Sequence, residues 1–271
     1  MRKTTFENSG EERKKLTLPS RKGVDSNGFI INPTGKNNIQ PSFKPVLYAV
    51  VSLLQELFTE KVHSIYVYGS VGRGEAKEGL SDLDLTVILH SPLTDAETHM
   101  LHGATERLLQ GFNTISKVDY DLNLYQDVLA KENVYEHGFW LRHMCTCLYG
   151  EDLATNFKRM KPNEKVSLAL NKNFLQVVSH YRQALLEETL SASKKRTILK
   201  RMIRGVYLKI NVQDESWSTD ITENLSIIQH YFPDERLFSD VEHMLHSEEE
   251  LSQETLLIVV ESFLNWYDKQ R

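Results

Sequence analysis

The chain is short of cysteine, has no long apolar run and carries no excess of basic residues, and each shortage removes a class of protein. Its 271 residues include two cysteines, Cys145 and Cys147. One residue between them is too little for an easy bridge in a strand or helix, so free thiols in a reducing cytoplasm are expected. His137 and His143 lie close by, but two thiols and two imidazoles crowded together do not match zinc-ligand spacings, and the cysteines are read as buried thiols. No apolar run approaches the ~18 residues of a membrane span. The charged stretch 1–15 is not followed by the apolar segment of a secretory signal, which points to a cytoplasmic protein without a membrane partner. Lys and Arg number 32 against 37 Asp and Glu, a net charge of −5, and this argues against a long nucleic acid as partner.

Two phosphate-binding motifs are also missing. No G-x-x-x-x-G-K-[ST] run exists, so there is no P-loop. Gly69-x-x-Gly72-x-Gly74 has the wrong order for a dinucleotide fingerprint, and no acidic residue follows a second parallel strand at the required distance. His99 and His102 stand one helical turn apart without a third ligand and are read as exposed. No internal repeat is visible.

What is present is concentrated between residues 65 and 125. The run 65–68 is short, β-branched and aromatic and predicts a strand ending at Gly69, while 82–89 predicts a second. Asp82 and Asp84 are two apart, so they share a strand face roughly 6 to 7 Å from each other, within reach of a common Mg²⁺ or a pair of ions. Leu83, Leu85, Val87 and Leu89 form the opposite, apolar face. Between the strands, 71–75 is Gly-rich and cationic, so its backbone N–H groups and Arg73 can meet a polyphosphate. Ser70 offers a hydroxyl and an N–H to phosphate; no histidine is placed to make it a nucleophile. Ser81 orients the turn before Asp82, with a phosphate contact open to it.

Gly69-Ser70, a gap of about ten residues, and Asp82-x-Asp84 with apolar residues after it resemble the nucleotidyltransferase signature. That superfamily includes DNA polymerase beta and the kanamycin and streptomycin/spectinomycin adenylyltransferases. The resemblance implies a third carboxylate on a neighbouring strand, and 117–125 supplies candidates. Asp119, Asp121 and Asn123 alternate with Val118, Tyr120, Leu122 and Leu124, so both aspartates face one way. Asp121 is preferred, because Asp-Leu-Asn-Leu-Tyr resembles the acidic strand of kanamycin-type enzymes, where the acidic residue serves as ligand or base; Asp119 stays open. The family chemistry implies Mg²⁺, two ions, held by Asp82, Asp84 and Asp121, and ATP or another NTP as co-substrate. AMP would pass to a hydroxyl of a small molecule, aminoglycoside-like in one version, with release of pyrophosphate. A protein acceptor, or a non-catalytic antitoxin-like module on the same fold, is the alternative.

An α+β architecture is expected, with a nucleotidyltransferase core of small mixed sheet and helices followed by an antiparallel helical bundle. Residues 1–45 read as an extended or partly disordered arm, 46–155 as the catalytic domain and 156–271 as the helical domain. Helical periodicity covers the stretch after Pro45 and 95–109, then 166–189, 194–212, 220–231, 234–245 and 252–269. Within the second of these late helices, Lys200, Arg201 and Arg204 lie one turn apart and form a candidate anion site for the nucleotide. Trp217, in the following loop, either stacks on a substrate ring or plugs the end of the bundle. The Lys200–Tyr207 and Glu215–Asp220 stretches resemble bacterial two-domain nucleotidyltransferases. One departure stands out: spectinomycin-type enzymes carry a nucleotide-reaching lysine in this loop, whereas 213–219 has no lysine or arginine.

Overall fold

The computed structural model describes residues 18–247 and 251–270; the first 17 residues of the expected arm lie outside them. The first regular element, α1 (Lys44–Leu57), has Pro45 in its opening turn, where a missing N–H costs nothing. Its Val46, Leu47, Val50, Val51 and Leu54 recur at helical spacing and are buried. There follow β1 (Val62–Val67), the short α2 (Gly69–Arg73), β2 (Leu83–Leu89), α3 (Asp95–Leu109), β3 (Val118–Leu124), α4 (Tyr125–Leu129), α5 (Phe139–Met144) and β4 (Thr146–Gly150). Helix α3 starts at a capping box in which Thr94 and Glu97 satisfy each other's backbone N–H groups.

The four strands lie in the order β3-β2-β1-β4. Strand β1 runs antiparallel to both β2 and β4, and β2 runs parallel to β3, with α3 in the crossover. Alternation sorts the side chains into two faces. Ile65, Val67, Leu83, Leu85 and Val87 join residues of α1 in one core. Tyr66 and Ile88 point the other way and pack with Phe139, Leu153, Leu208, Trp217 and Ile30. That second core draws on the sheet, on the arm and on the helical part alike.

The helical part consists of α6 (Glu164–Leu170), α7 (Phe174–Glu187), α8 (Ala192–Ile210), α9 (Ile221–Tyr231), α10 (Arg236–His246) and α11 (Gln253–Lys269). Helix α8 runs through its middle, with Ile198, Leu199, Met202, Ile203, Val206 and Tyr207 all buried. The molecule is thus an α+β nucleus with a helical second half. The single helix expected over 166–189 is two helices, because Asn173 takes a left-handed φ of 57° and the chain turns between them. The apolar stretch 137–149, whose pattern suits helix and strand equally, divides into α5 and β4. From residue 18 the arm is ordered and crosses both halves. Its Lys22 carbonyl accepts the Trp217 N–H at 2.9 Å, and the Ile30 N–H donates to Met160 at 2.9 Å.

Candidate active site

Strand β1 delivers the chain to Tyr68, and Gly69 turns it into α2 with φ of 66°. A Cβ on Gly69 would stand 1.9 Å from Asp84 Oδ2, so only glycine lets this backbone close on that carboxylate. The Gly-rich stretch is therefore a short helix rather than an open loop. Gly69 and Ser70 fall in its first turn, where N–H groups have no intrahelical acceptor. Arg73, at its end, is paired with Glu75 at 2.7 Å. Ser81 Oγ accepts the Lys77 N–H at 2.8 Å and so fixes the turn into β2, in the orienting role expected of it.

These residues form one wall of a cavity of about 720 Å³ between the sheet and α8. Gly69, Ser70, Arg73, Ser81, Asp82 and Asp84 line one side. Lys200, Arg201 and Arg204 line the other, so residues 130 positions apart in the chain face one space. No ion pair involves these three cations among the described residues, although Arg201 rests over the Phe174 ring, 5.4 Å from its centroid. Arg204 is exposed by surface area, yet enough protein surrounds it that desolvation, then Arg201 and Arg73, pull its pKa below the usual arginine value. Three uncompensated cations opposite two carboxylates make a bipolar cleft. Trp217 borders the cavity but is mostly buried, its ring edge-on to Phe139 at 4.7 Å, so it plugs the junction of the two halves.

The parallel register of β2 and β3 separates the two candidates for the third carboxylate. Asp119 lies directly opposite Asp84, whereas Asp121 lies opposite Thr86. Asp121 accepts the Thr86 hydroxyl at 3.1 Å, and Thr86 in turn accepts the Trp140 indole N–H at 2.9 Å. Neither Asp119 nor Asp121 is among the residues lining the cavity. Asp82 accepts a hydrogen bond from the Ser116 hydroxyl. Lys117 Nζ sits 2.8 and 2.6 Å from the two oxygens of Asp119 and 3.5 Å from Asp82 Oδ2.

Residues 48–143 match the family model described as nucleotidyltransferase domain. This segment is a nucleotidyltransferase domain. No curated protein sequence matches the chain. Among solved structures, spectinomycin adenyltransferase AAD(9) from Enterococcus faecialis, determined with ATP and spectinomycin, is 14% identical with a TM-score of 0.58, covering 82% of this chain and 98% of that one. At that identity the likeness is one of fold, and it extends past the nucleotidyltransferase domain into the helical half. A toxin-antitoxin structure with AMP-PNP is 18% identical over 52% of this chain and 94% of that one, with a TM-score of 0.28, too slight a likeness to carry an argument.

Within the nucleotidyltransferase domain the acidic cluster is electrostatically loaded. Burial, then Asp119, then Asp82 raise the Asp84 pKa to about 6. Like charges gather around a half-buried carboxylate, and the Lys117 ammonium stands among them as a cationic partner. Among the described residues, no group of three or more His, Cys, Asp or Glu side chains has the arrangement to hold a metal ion. Burial, with Asp84 the next cause, also pushes the Tyr68 phenol up, and its ring meets Trp140 edge-on at 4.9 Å.

Four contributors escaped the sequence reading: Lys117, Ser116, Thr86 and Trp140. Lys117 and Ser116 adjoin Asp119 in sequence and were open to notice; Trp140 reaches Thr86 only through the tertiary fold. The remaining polar candidates are structural. His143 is buried, with Nδ1 on the Ile30 carbonyl at 3.0 Å and Nε2 accepting the Met160 N–H at 2.9 Å. Cys145 is buried, Cys147 is half-buried, and both are free. His99 closes on the Asp95 carbonyl of its own helix at 2.7 Å. Among the described residues no helix is long and apolar enough to cross a membrane.

Proposed function

We propose that the protein is a Mg²⁺-dependent nucleotidyltransferase that moves a nucleoside monophosphate, AMP from ATP in the first instance, to a hydroxyl of a small molecule. The observation that carries this reading is the bipolar cavity, in which Asp82 and Asp84 stand on one wall and Lys200, Arg201 and Arg204 on the other. Phosphoryl transfer needs the donor held in line and its developing charge neutralised, and the two walls divide that work. Asp82 and Asp84, with Asp119 as third carboxylate, would hold Mg²⁺, which when bound neutralises triphosphate oxygens. The register, which sets Asp119 beside Asp84 and leaves Asp121 opposite Thr86, supports Asp119 over the expected Asp121 for this role.

On the protein's side, Gly69 and Ser70 bind phosphate oxygens through first-turn N–H groups and the serine hydroxyl. Lys200, Arg201 and Arg204 bind the β- and γ-phosphates from α8, doing the work that a loop lysine does in spectinomycin-type enzymes. Asp119 takes the proton of the acceptor hydroxyl as that oxygen bonds to the α-phosphorus, and the bond from the α-phosphorus to the β-phosphate oxygen breaks to release pyrophosphate. The acceptor enters beside Trp217, where a second cavity of about 510 Å³ carries Asp220 and Glu223 as well as Lys200 and Arg73. Carboxylates at that end suit an amine-bearing, hydroxylated acceptor, in keeping with the spectinomycin of the AAD(9) structure.

The test is to incubate the protein with Mg²⁺, each α-labelled NTP and a panel of hydroxylated amines, reading thermal stabilisation and pyrophosphate release. Asp82→Ala and Asp84→Ala are expected to lower turnover roughly a thousandfold, the kinetic equivalent of several kcal/mol. If both variants keep stabilisation and release unchanged, the catalytic reading fails and the antitoxin-like alternative stands.

A further inference from the structure

Lys117 occupies a place that the proposed chemistry gives to an ion. It immediately precedes β3 beside the start of β2, where its carbonyl accepts the Leu83 N–H at 2.9 Å, so its backbone is fixed by the sheet. Its ammonium reaches both oxygens of Asp119, at 2.8 and 2.6 Å, and Asp82 Oδ2 at 3.5 Å. One positive group thus bridges two of the three carboxylates. The side chain is 58% exposed, so water can receive its ammonium if it swings away.

From this geometry we propose that Lys117 is a built-in counter-ion which holds the carboxylate site together in the metal-free protein and is displaced when a divalent cation binds. The inference rests on the metal-dependent reading above. Two physical constraints lead to it. A Mg²⁺ ion sits about 2.0 to 2.1 Å from each carboxylate oxygen, so an ammonium already within hydrogen-bond distance of both Asp119 oxygens competes for the same lone pairs. Two cations that close also repel, and lysine, a point charge on a flexible four-carbon stem, is the partner free to move. Among the described residues, the other cation that acts on Asp84 is Arg73, which is itself paired with Glu75. Lys117 therefore makes the metal-free fold easier to hold and the metal harder to bind.

The test is Mn²⁺ titration without nucleotide, counting free ion by electron paramagnetic resonance, on wild type, Lys117→Gln and Lys117→Arg. Loss of the competing charge should tighten Mn²⁺ binding in Lys117→Gln on the order of fivefold, the scale of one exposed ion pair. Lys117→Arg, which keeps the charge, should bind like wild type, and the metal-free Lys117→Gln protein should melt at a lower temperature than wild type. Equal or weaker Mn²⁺ binding by Lys117→Gln, with wild type binding the ion, overturns the displacement and leaves the nucleotidyltransferase reading intact. If wild type and Lys117→Gln both bind no Mn²⁺ that Asp82→Ala abolishes, both inferences fall together.

Discussion

At the scale of single residues, the distinction that matters most is the one between Asp119 and Asp121. Period-two alternation puts both on the same face of β3, so alternation alone does not separate them, and the preference for Asp121 rests on motif resemblance. The inter-strand register separates them, because it sets Asp119 against Asp84 and Asp121 against Thr86. Asp82, Asp84, Gly69 and Ser70 were legible for the opposite reason: their spacing lies within one strand-turn-strand unit. The two aspartates should accordingly behave differently. Asp119→Asn is expected to lower turnover by roughly a hundredfold or more, as loss of a positioned base does, and to weaken Mn²⁺ binding as well. Asp121→Asn, which can still accept from Thr86, should cost less than about tenfold and leave Mn²⁺ binding in place. Steady-state kinetics together with metal titration of both variants would check this, and the reverse ranking would return the third position to Asp121.

Elements are read from sequence with uneven success, and the reasons are local. Helices α1, α3, α8, α9 and α11 carry long apolar periodicity, and Thr94 and Asp220 cap α3 and α9, so their spans were visible. The division of 166–189 was not, since an apolar pattern continues across Asn171 and Asn173 and only the left-handed Asn173 breaks it. Strand β4 is ambiguous in sequence because five residues give too short a run to distinguish from helix. The crossing of α7 and α8 shows what periodicity omits. Gly205 meets Phe174 so closely that a Cβ would lie 2.1 Å from its ring, and the Gly205 carbonyl accepts the Asn171 side chain at 2.9 Å. Gly205→Ala should therefore destabilise the protein by about 1 to 3 kcal/mol despite the better helix propensity of alanine. Chemical denaturation would read the loss; an unchanged or raised midpoint would mean that the Phe174 ring moves aside freely.

For the whole molecule, the question is what keeps the two walls of the cleft at working distance. His143 ties three parts of the fold together: it lies on α5, its Nδ1 donates to the arm at Ile30, and its Nε2 accepts from Met160 on the way to the helical half. Those two bonds require the neutral ring, and burial accordingly lowers its pKa from 6.5 to about 4. In this window the unfolded chain binds more protons than the folded one, so the stabilisation is complete above pH 6.5 and is lost as pH falls towards 4. A shift of this size is worth on the order of 3 kcal/mol. Asp84 works in the opposite direction: its raised pKa makes the folded state hold its proton longer, so its penalty is relieved as pH falls from about 6. The net pH slope of the wild type mixes the two, and a single-site comparison separates them. The stability difference between wild type and His143→Gln should shrink between pH 7 and pH 4.5, whereas Asp84→Asn should change the slope with the other sign. Urea midpoints across that range are the measurement. A His143→Gln difference that stays constant with pH would show that the imidazole does not stay neutral where arm, α5 and helical half meet.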